Sequence, residues 1–131
     1  MQIGDKYELE YQVGEGDSAK ALSFDGGDDF PSVLATSRMI ALMELAAARL
    51  MNPLLESDAL SVGVGVNITH LAATPIDTSV RAVAEFAGMK DKLYAFKVSL
   101  FDKGGLAGEG LHTRAIVNTQ RLLQGAQKRM Q

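Results

Sequence analysis

The chain has 131 residues, no cysteine and a formal net charge of −3, from 13 Lys and Arg against 16 Asp and Glu. This length predicts one domain over residues 1–131, with a polar tail at 120–131, and the acidic balance argues against a nucleic-acid partner. The lack of cysteine excludes disulfides and thiolate chemistry, no apolar run is long enough to cross a membrane, and residues 1–5 do not resemble a signal peptide, so we expect a cytoplasmic protein.

The first half of the chain predicts a strand, a loop and one long helix. Apolar and polar residues alternate over residues 7–13, which indicates a half-buried strand, and residues 19–24 predict a shorter one. Glycine, aspartate and proline make residues 25–31 a loop. Residues 38–51 are rich in strong helix formers, with Thr36 and Ser37 as candidate N-caps and Asn52-Pro53 as the stop.

Four stretches rich in valine and alanine follow the helix and are separated by turn residues. They cover residues 60–73, 79–87, 93–101 and 106–119, and they predict an antiparallel meander. The helix carries charge only at Arg38, Glu44 and Arg49, so other structure must surround it. We therefore expect an α+β fold in which a sheet curls around a central helix.

Glu44 is the most informative polar residue, because it lies in the middle of this apolar helix. A carboxylate there either faces a thin exposed stripe with a surface ion pair, or needs a buried partner. His70 supplies a candidate partner at the end of the next strand. Alternation places Val62, Val64, Val66, Ile68 and His70 on one face, which should look at the helix.

Thr36 precedes Glu44 by eight residues, or about 12 Å along a helix axis, so the two cannot touch directly. An imidazole from His70 would bridge them, oriented by the Glu44 carboxylate, which predicts a Thr–His–Glu arrangement. Each residue also has an ordinary structural role open to it, and for Thr36 that role is N-capping.

Other glycine-rich and acidic stretches lack the spacing of nucleotide, phosphate or calcium loops, and two histidines 42 residues apart make a poor metal site. On the last strand, Gly108, Gly110, His112 and Arg114 alternate onto one face. That face admits close approach by a ligand, with Arg114 as a fixed positive charge or as a surface ion pair.

The chain resembles the fluoroacetyl-CoA thioesterase-like family of hot-dog-fold acyl-CoA thioesterases. The resemblance rests on residues 30–36 (FPSVLAT), 42–44 (LME), 69–75 (THLAATP) and 108–115 (GEGLHTRA). It implies a hot-dog α+β domain, a long helix wrapped by a curved sheet of five or six antiparallel strands, working as a homodimer. It also implies hydrolysis of an acyl-CoA thioester without a cofactor, coenzyme A being part of the substrate.

The resemblance assigns catalytic roles to Thr36, Glu44 and His70, and substrate contacts to Gly63, Arg114 and Phe30. We expect Arg114 to bind the CoA phosphates or the pantetheine region. Fluoroacetyl-specialised members carry an aromatic-lined lid before the helix, whereas this chain has only Phe24 and Phe30 beside residues 25–29. The sequence thus predicts thioester hydrolysis without its acyl specificity. The alternatives are an acyl-CoA-binding or sensing module and an enoyl-CoA hydratase on the same fold.

Overall fold

A five-stranded antiparallel sheet curls around one long helix in the computed structural model, which describes residues 1–131. The elements are β1 (Lys6–Gln12), α1 (Thr36–Met51), β2 (Ala59–His70), β3 (Ser79–Lys90), β4 (Leu93–Asp102), β5 (Gly105–Asn118) and α2 (Thr119–Arg129). The long helix and the antiparallel sheet agree with the α+β prediction. No helix is both long enough and apolar enough to cross a membrane.

The strand order is β1-β3-β4-β5-β2, so only β3, β4 and β5 form a meander. The prediction that β2 joins the same meander is wrong, because β2 pairs with β5 at the opposite edge of the sheet. After β2 the chain leaves that edge and crosses to β3. At the start of this crossing Leu71 and Ala72 donate backbone hydrogen bonds to the Ala107 carbonyl, and the Thr74 carbonyl accepts one from Leu34. This crossing brings the segment after β2 beside the segment that enters α1.

The core lies between α1 and the concave face of the sheet. Methionine and alanine of α1 pack against small and aromatic residues of β3 and β4; the fully buried members include Met39, Met43, Ala46, Ala84, Phe96 and Leu100. The helix comes so close that a Cβ on Gly108 would lie 2.5 Å from the Met39 sulfur. A side chain at this position would force the end of the Met39 side chain to repack within the core.

Three local predictions are wrong in detail. Residues 19–24 form no strand; they contain a 3₁₀ turn at Lys20–Leu22, whose start is fixed by the Ala21 N–H donating to the Ser18 hydroxyl at 3.0 Å. Thr36 does not cap α1, because the N-cap residue is Ala35. The third is the alternation along β2, which breaks at a bulge between Gly63 and Gly65.

The bulge decides which residues of β2 face the helix. Cross-strand partners in an antiparallel pair point to the same face. Before the bulge Gly63 opposes Arg114, and after it His70 opposes Gly108. The extra residue therefore puts Gly63 on the inner face with His70 and turns Val62 to the other face. The predicted inner row is correct only from Val66 onward.

Candidate active site

Thr36 and His70 meet at the N-terminus of α1. The Thr36 Oγ1 and the His70 Nδ1 are 2.8 Å apart, which is a full hydrogen-bonding distance. The other ring nitrogen of His70, Nε2, is buried and has no hydrogen-bonding partner within the chain. A hydroxyl held against an imidazole nitrogen is the arrangement that activates an alcohol or a water as a nucleophile.

The first turn of α1 presents backbone N–H groups without a side-chain cap beside this pair. Ala35 is the N-cap residue and has no side chain that accepts a hydrogen bond, so the first-turn N–H groups receive no side-chain cap. An alanine here costs about 1 kcal/mol relative to serine, threonine, aspartate or asparagine. Free N–H groups at the positive end of the helix dipole are suited to a developing negative charge.

A buried carboxylate anchors the same end of the helix. Asp17, 4% exposed, accepts hydrogen bonds from the Tyr11 hydroxyl at 2.8 Å, from the Gly14 N–H at 2.8 Å and from the Arg38 Nε at 2.9 Å. Burial alone raises the pKa of the Asp17 carboxyl, but these hydrogen bonds and the Arg38 charge outweigh it and hold the pKa below its ordinary value. The Asp17 carbonyl also accepts from Ala35 at 2.9 Å, so this anchor fixes the backbone just before Thr36.

Glu44 does not lie against His70, which corrects the predicted pairing. Its carboxylate Oε2 lies 3.6 Å from the Arg114 Nη1 and 3.9 Å from the His112 Nε2, and its side chain is 38% exposed rather than largely buried. The reason is the spacing along α1, since a carboxylate about 12 Å from Thr36 reaches the middle of β2 instead of its end. There a Cβ on Gly63 would collide with the Glu44 Oε2, so this glycine makes room for the carboxylate.

Arg114 is held from several sides in the interior. Its side chain is 8% exposed, its Nε donates to the Ser61 hydroxyl at 3.1 Å and its Nη2 donates to the Ser61 carbonyl at 2.9 Å. Its Nη1 lies 3.1 Å from the His112 Nε2. This burial is inconsistent with the expected contact to CoA phosphates, because a buried and bonded guanidinium does not reach a charged group at the surface.

The structure thus forms two clusters from the predicted site residues. The Thr36–His70 pair is at one end of β2, and the arginine cluster, which we define as Glu44, Ser61, His112 and Arg114, is near its middle. Phe30 belongs to neither; it lies in the segment leading to α1 and is 49% exposed. The roles of Ser61, Asp17 and His112 escaped the sequence analysis, although His112 had been placed on the correct face of β5.

Comparisons with known proteins agree with this architecture. A family model described as "Fluoroacetyl-CoA-specific thioesterase" matches residues 13–120. The fluoroacetyl-CoA thioesterase of Streptantibioticus cattleyicolor is 31% identical over 123 residues, which are 92% of this chain and 88% of that protein.

Solved structures give the same result for the fold. A mutant of the fluoroacetyl-CoA thioesterase FlK in complex with acetyl-CoA is 28% identical, covers 100% of both chains and has a TM-score of 0.93. A hot-dog-like protein from Thermanaerovibrio acidaminovorans is 18% identical, has a TM-score of 0.87 over 100% of this chain and 94% of its own, and supports the fold alone. The predicted hot-dog fold is confirmed, and the chain belongs to the fluoroacetyl-CoA-specific thioesterase family and is a thioester hydrolase.

Proposed function

We propose that this chain hydrolyses a small acyl-CoA thioester to the carboxylic acid and free CoA, using Thr36, His70 and Glu44. The observation that supports it best is the 2.8 Å contact between the Thr36 hydroxyl and the His70 Nδ1. The fluoroacetyl-CoA thioesterase relatives, and the FlK mutant that holds acetyl-CoA, indicate a short acyl group.

In the proposed first step, His70 acts as general base. Its Nδ1 takes the Thr36 hydroxyl proton while the Thr36 Oγ1 attacks the thioester carbonyl carbon, and the negative charge on the carbonyl oxygen is stabilised by first-turn N–H groups of α1. Collapse of the tetrahedral intermediate breaks the carbon–sulfur bond and releases the CoA thiolate, which the His70 imidazolium can protonate. A water molecule, deprotonated by the same nitrogen, then hydrolyses the acyl-threonine ester.

Two other assignments of the nucleophile share these residues. His70 can activate water directly, with Thr36 positioning that water, or the Glu44 carboxylate can attack and form an anhydride. The structure favours the Thr36 route because the hydroxyl already lies against the imidazole, whereas the nearest charged group to Glu44 is Arg114.

We place the acyl group between the two clusters, along the inner face of β2. Thr36 and Glu44 are about 12 Å apart along the helix axis, which leaves room for a short acyl thioester. In this arrangement the Glu44 carboxylate orients the substrate from α1, Gly63 and Arg114 face its acyl end, and Phe30 contacts it from the segment before α1. These contacts are the substrate-binding part of the proposal.

We infer that the working form is a homodimer joined at β2. This twelve-residue strand is at the edge of the sheet, and its Val64 and Val66 are 55% and 47% exposed. An edge strand with exposed apolar side chains is an aggregation hazard unless something covers it. A second copy of the same strand is the occupant that the resemblance implies.

The experiment follows free CoA with a thiol reagent, and the chain itself has no cysteine to contribute background. Acetyl-, haloacetyl-, short-branched and aryl-CoA are tested with the wild type and with Thr36→Val, Thr36→Ser and His70→Ala. We expect the wild type to hydrolyse at least one of them, with rates about a hundredfold or more lower in His70→Ala and Thr36→Val. Thr36→Ser keeps the hydroxyl and should retain most activity. Full activity in His70→Ala would refute the proposal.

A further inference from the structure

His112 is a buried histidine to which the proposed mechanism assigns no step. It is 1% exposed and its ring lies beside that of Phe96, with ring centroids 6.4 Å apart. Its Nδ1 is 2.8 Å from the Gly65 carbonyl oxygen, and its Nε2 is 3.1 Å from the Arg114 Nη1.

These two partners fix the protonation of the ring. A carbonyl oxygen only accepts hydrogen bonds, so the His112 Nδ1 must carry a proton and donate it to Gly65. A guanidinium only donates, so the His112 Nε2 must be unprotonated and accept from Arg114. Both contacts are satisfied only by the neutral imidazole with its proton on Nδ1.

The same contacts decide where the Arg114 guanidinium points. Two of its nitrogens donate to Ser61 and the third to His112, so the plane of the group cannot rotate without losing a hydrogen bond. In this orientation its Nη1 faces the Glu44 Oε2 at 3.6 Å. The ion pair thereby holds the carboxylate at a defined place beside β2.

We propose that His112 is a positioning residue, whose neutral ring holds Arg114 in the orientation that fixes the Glu44 carboxylate in the site. The inference rests on the proposed function only in that the Glu44 carboxylate orients the substrate there. His112 touches no reacting atom in this scheme and acts entirely through Arg114.

The electrostatics of the cluster support a neutral ring. The charged groups that bear on His112 are Arg114, from its own strand, and Glu44, from α1; the contacts from β2 and β4 are the uncharged Gly65 carbonyl and Phe96. Burial lowers the pKa of His112 and the Arg114 charge lowers it further, against the opposing effects of the Gly65 carbonyl and Glu44. Protonation would place two cations in contact and break the hydrogen bond from Arg114.

Two variants separate the two contacts of the ring. The side-chain amide of asparagine is in the place of the histidine Nδ1, so His112→Asn keeps the donor to Gly65 and loses the acceptor for Arg114. The amide of glutamine extends to the place of Nε2, so His112→Gln keeps the acceptor for Arg114. Phe86→Leu is the control for lost packing, since this residue is in the same core, pairs with Phe96 across β3 and β4, and has its ring 5.8 Å from the Phe96 ring.

We expect kcat/KM to fall about tenfold or more in His112→Asn, because the carboxylate loses its fixed position, and to stay within about threefold of wild type in His112→Gln. Phe86→Leu should lower Tm and leave kcat/KM nearly unchanged below the transition. Equal losses in the two His112 variants, or losses that follow Tm as in the control, would overturn the inference.

A second readout needs no turnover. Long-range ¹H–¹⁵N spectra of the histidine rings should show His112 as the Nδ1-protonated tautomer at neutral pH, and slowed exchange of the Arg114 guanidinium protons that is lost in His112→Asn and kept in His112→Gln. A proton on Nε2 instead would overturn the inference. If the wild type hydrolyses no acyl-CoA while the spectra behave as expected, the positioning role stands and the proposed function fails.

Discussion

Replacing Gly63 by alanine tests whether the Glu44 carboxylate occupies the space that a side chain would fill. A Cβ at Gly63 would collide with the Glu44 Oε2 and would lie 3.4 Å from the His112 Cε1 and 3.5 Å from the Arg114 Nη1. One of these three groups must move, and the carboxylate has the most freedom because its side chain is 38% exposed. The expected result is therefore a displaced Glu44 rather than a broken strand.

The size of the effect follows from two opposing contributions. Overpacking costs about 1–3 kcal/mol, and alanine in a strand recovers about 0.5–1 kcal/mol relative to glycine. The net loss in the free energy of unfolding is at most about 2.5 kcal/mol. For a chain of this length each kcal/mol lowers Tm by about 3–5 °C. Activity should fall more steeply, on the order of tenfold in kcat/KM, because a carboxylate that orients the substrate is displaced.

Urea unfolding at one protein concentration measures the stability, and CoA release measures the activity. Gly65→Ala is the matched control on the same strand, since its Cβ would meet only the Thr113 hydroxyl, at 3.2 Å. The decisive comparison repeats Gly63→Ala in a Glu44→Ala background, where the stability loss should shrink by about 1 kcal/mol or more because the colliding carboxylate is absent. An equal loss in both backgrounds would refute the reasoning.

The remaining predictions concern the anchor, the buried histidine and the edge strand. Asp17→Asn should lower the free energy of unfolding by about 1–3 kcal/mol at neutral pH. Because the folded-state pKa of Asp17 is lowered, this difference between variant and wild type should narrow as the pH falls below 3.8. A difference that stays constant in urea unfolding would contradict the role of Asp17 as an ionised anchor. The pKa of His112 is also lowered, so the unfolded chain binds its proton first and wild-type stability should fall as the pH drops below 6.5; His112→Phe should remove this component, and unchanged slopes would argue against it. Val64→Lys should convert the proposed dimer to a monomer in light scattering and reduce CoA release; a monomeric wild type, or an unaltered mass in the variant, would contradict an interface at β2.

The elements of the fold could be predicted from sequence because they follow local patterns. Alternation around Tyr7 and Leu9 corresponds to β1, and helix formers followed by Asn52-Pro53 correspond to α1. The pairing of strands depends on contacts between residues that are far apart in the sequence. The position of β2 beside β5 depends on the crossing after His70, which no short pattern records.

The contact between Thr36 and His70 was predictable from the sequence, whereas the contacts of Glu44 were not. Thr36 and His70 meet as expected, because the segment after β2 runs beside the segment that enters α1. The prediction that His70 is the partner of Glu44 was wrong for a specific reason. The Glu44 carboxylate lies about 12 Å along the helix axis from Thr36 and reaches the middle of β2 rather than its end. The bulge between Gly63 and Gly65 is a separate feature that a strict period of two cannot anticipate, and it turns Gly63 toward this carboxylate.

The account depends most on Thr36 and His70 acting together in one chemical step, and a double-mutant cycle on kcat/KM tests this directly. CoA release is compared for Thr36→Val, His70→Ala and the double variant. Groups that act as a unit are strongly non-additive, so the double variant should be about as slow as the slower single variant. Losses that multiply, with each substitution reducing the rate by the same factor in either background, would contradict a shared step.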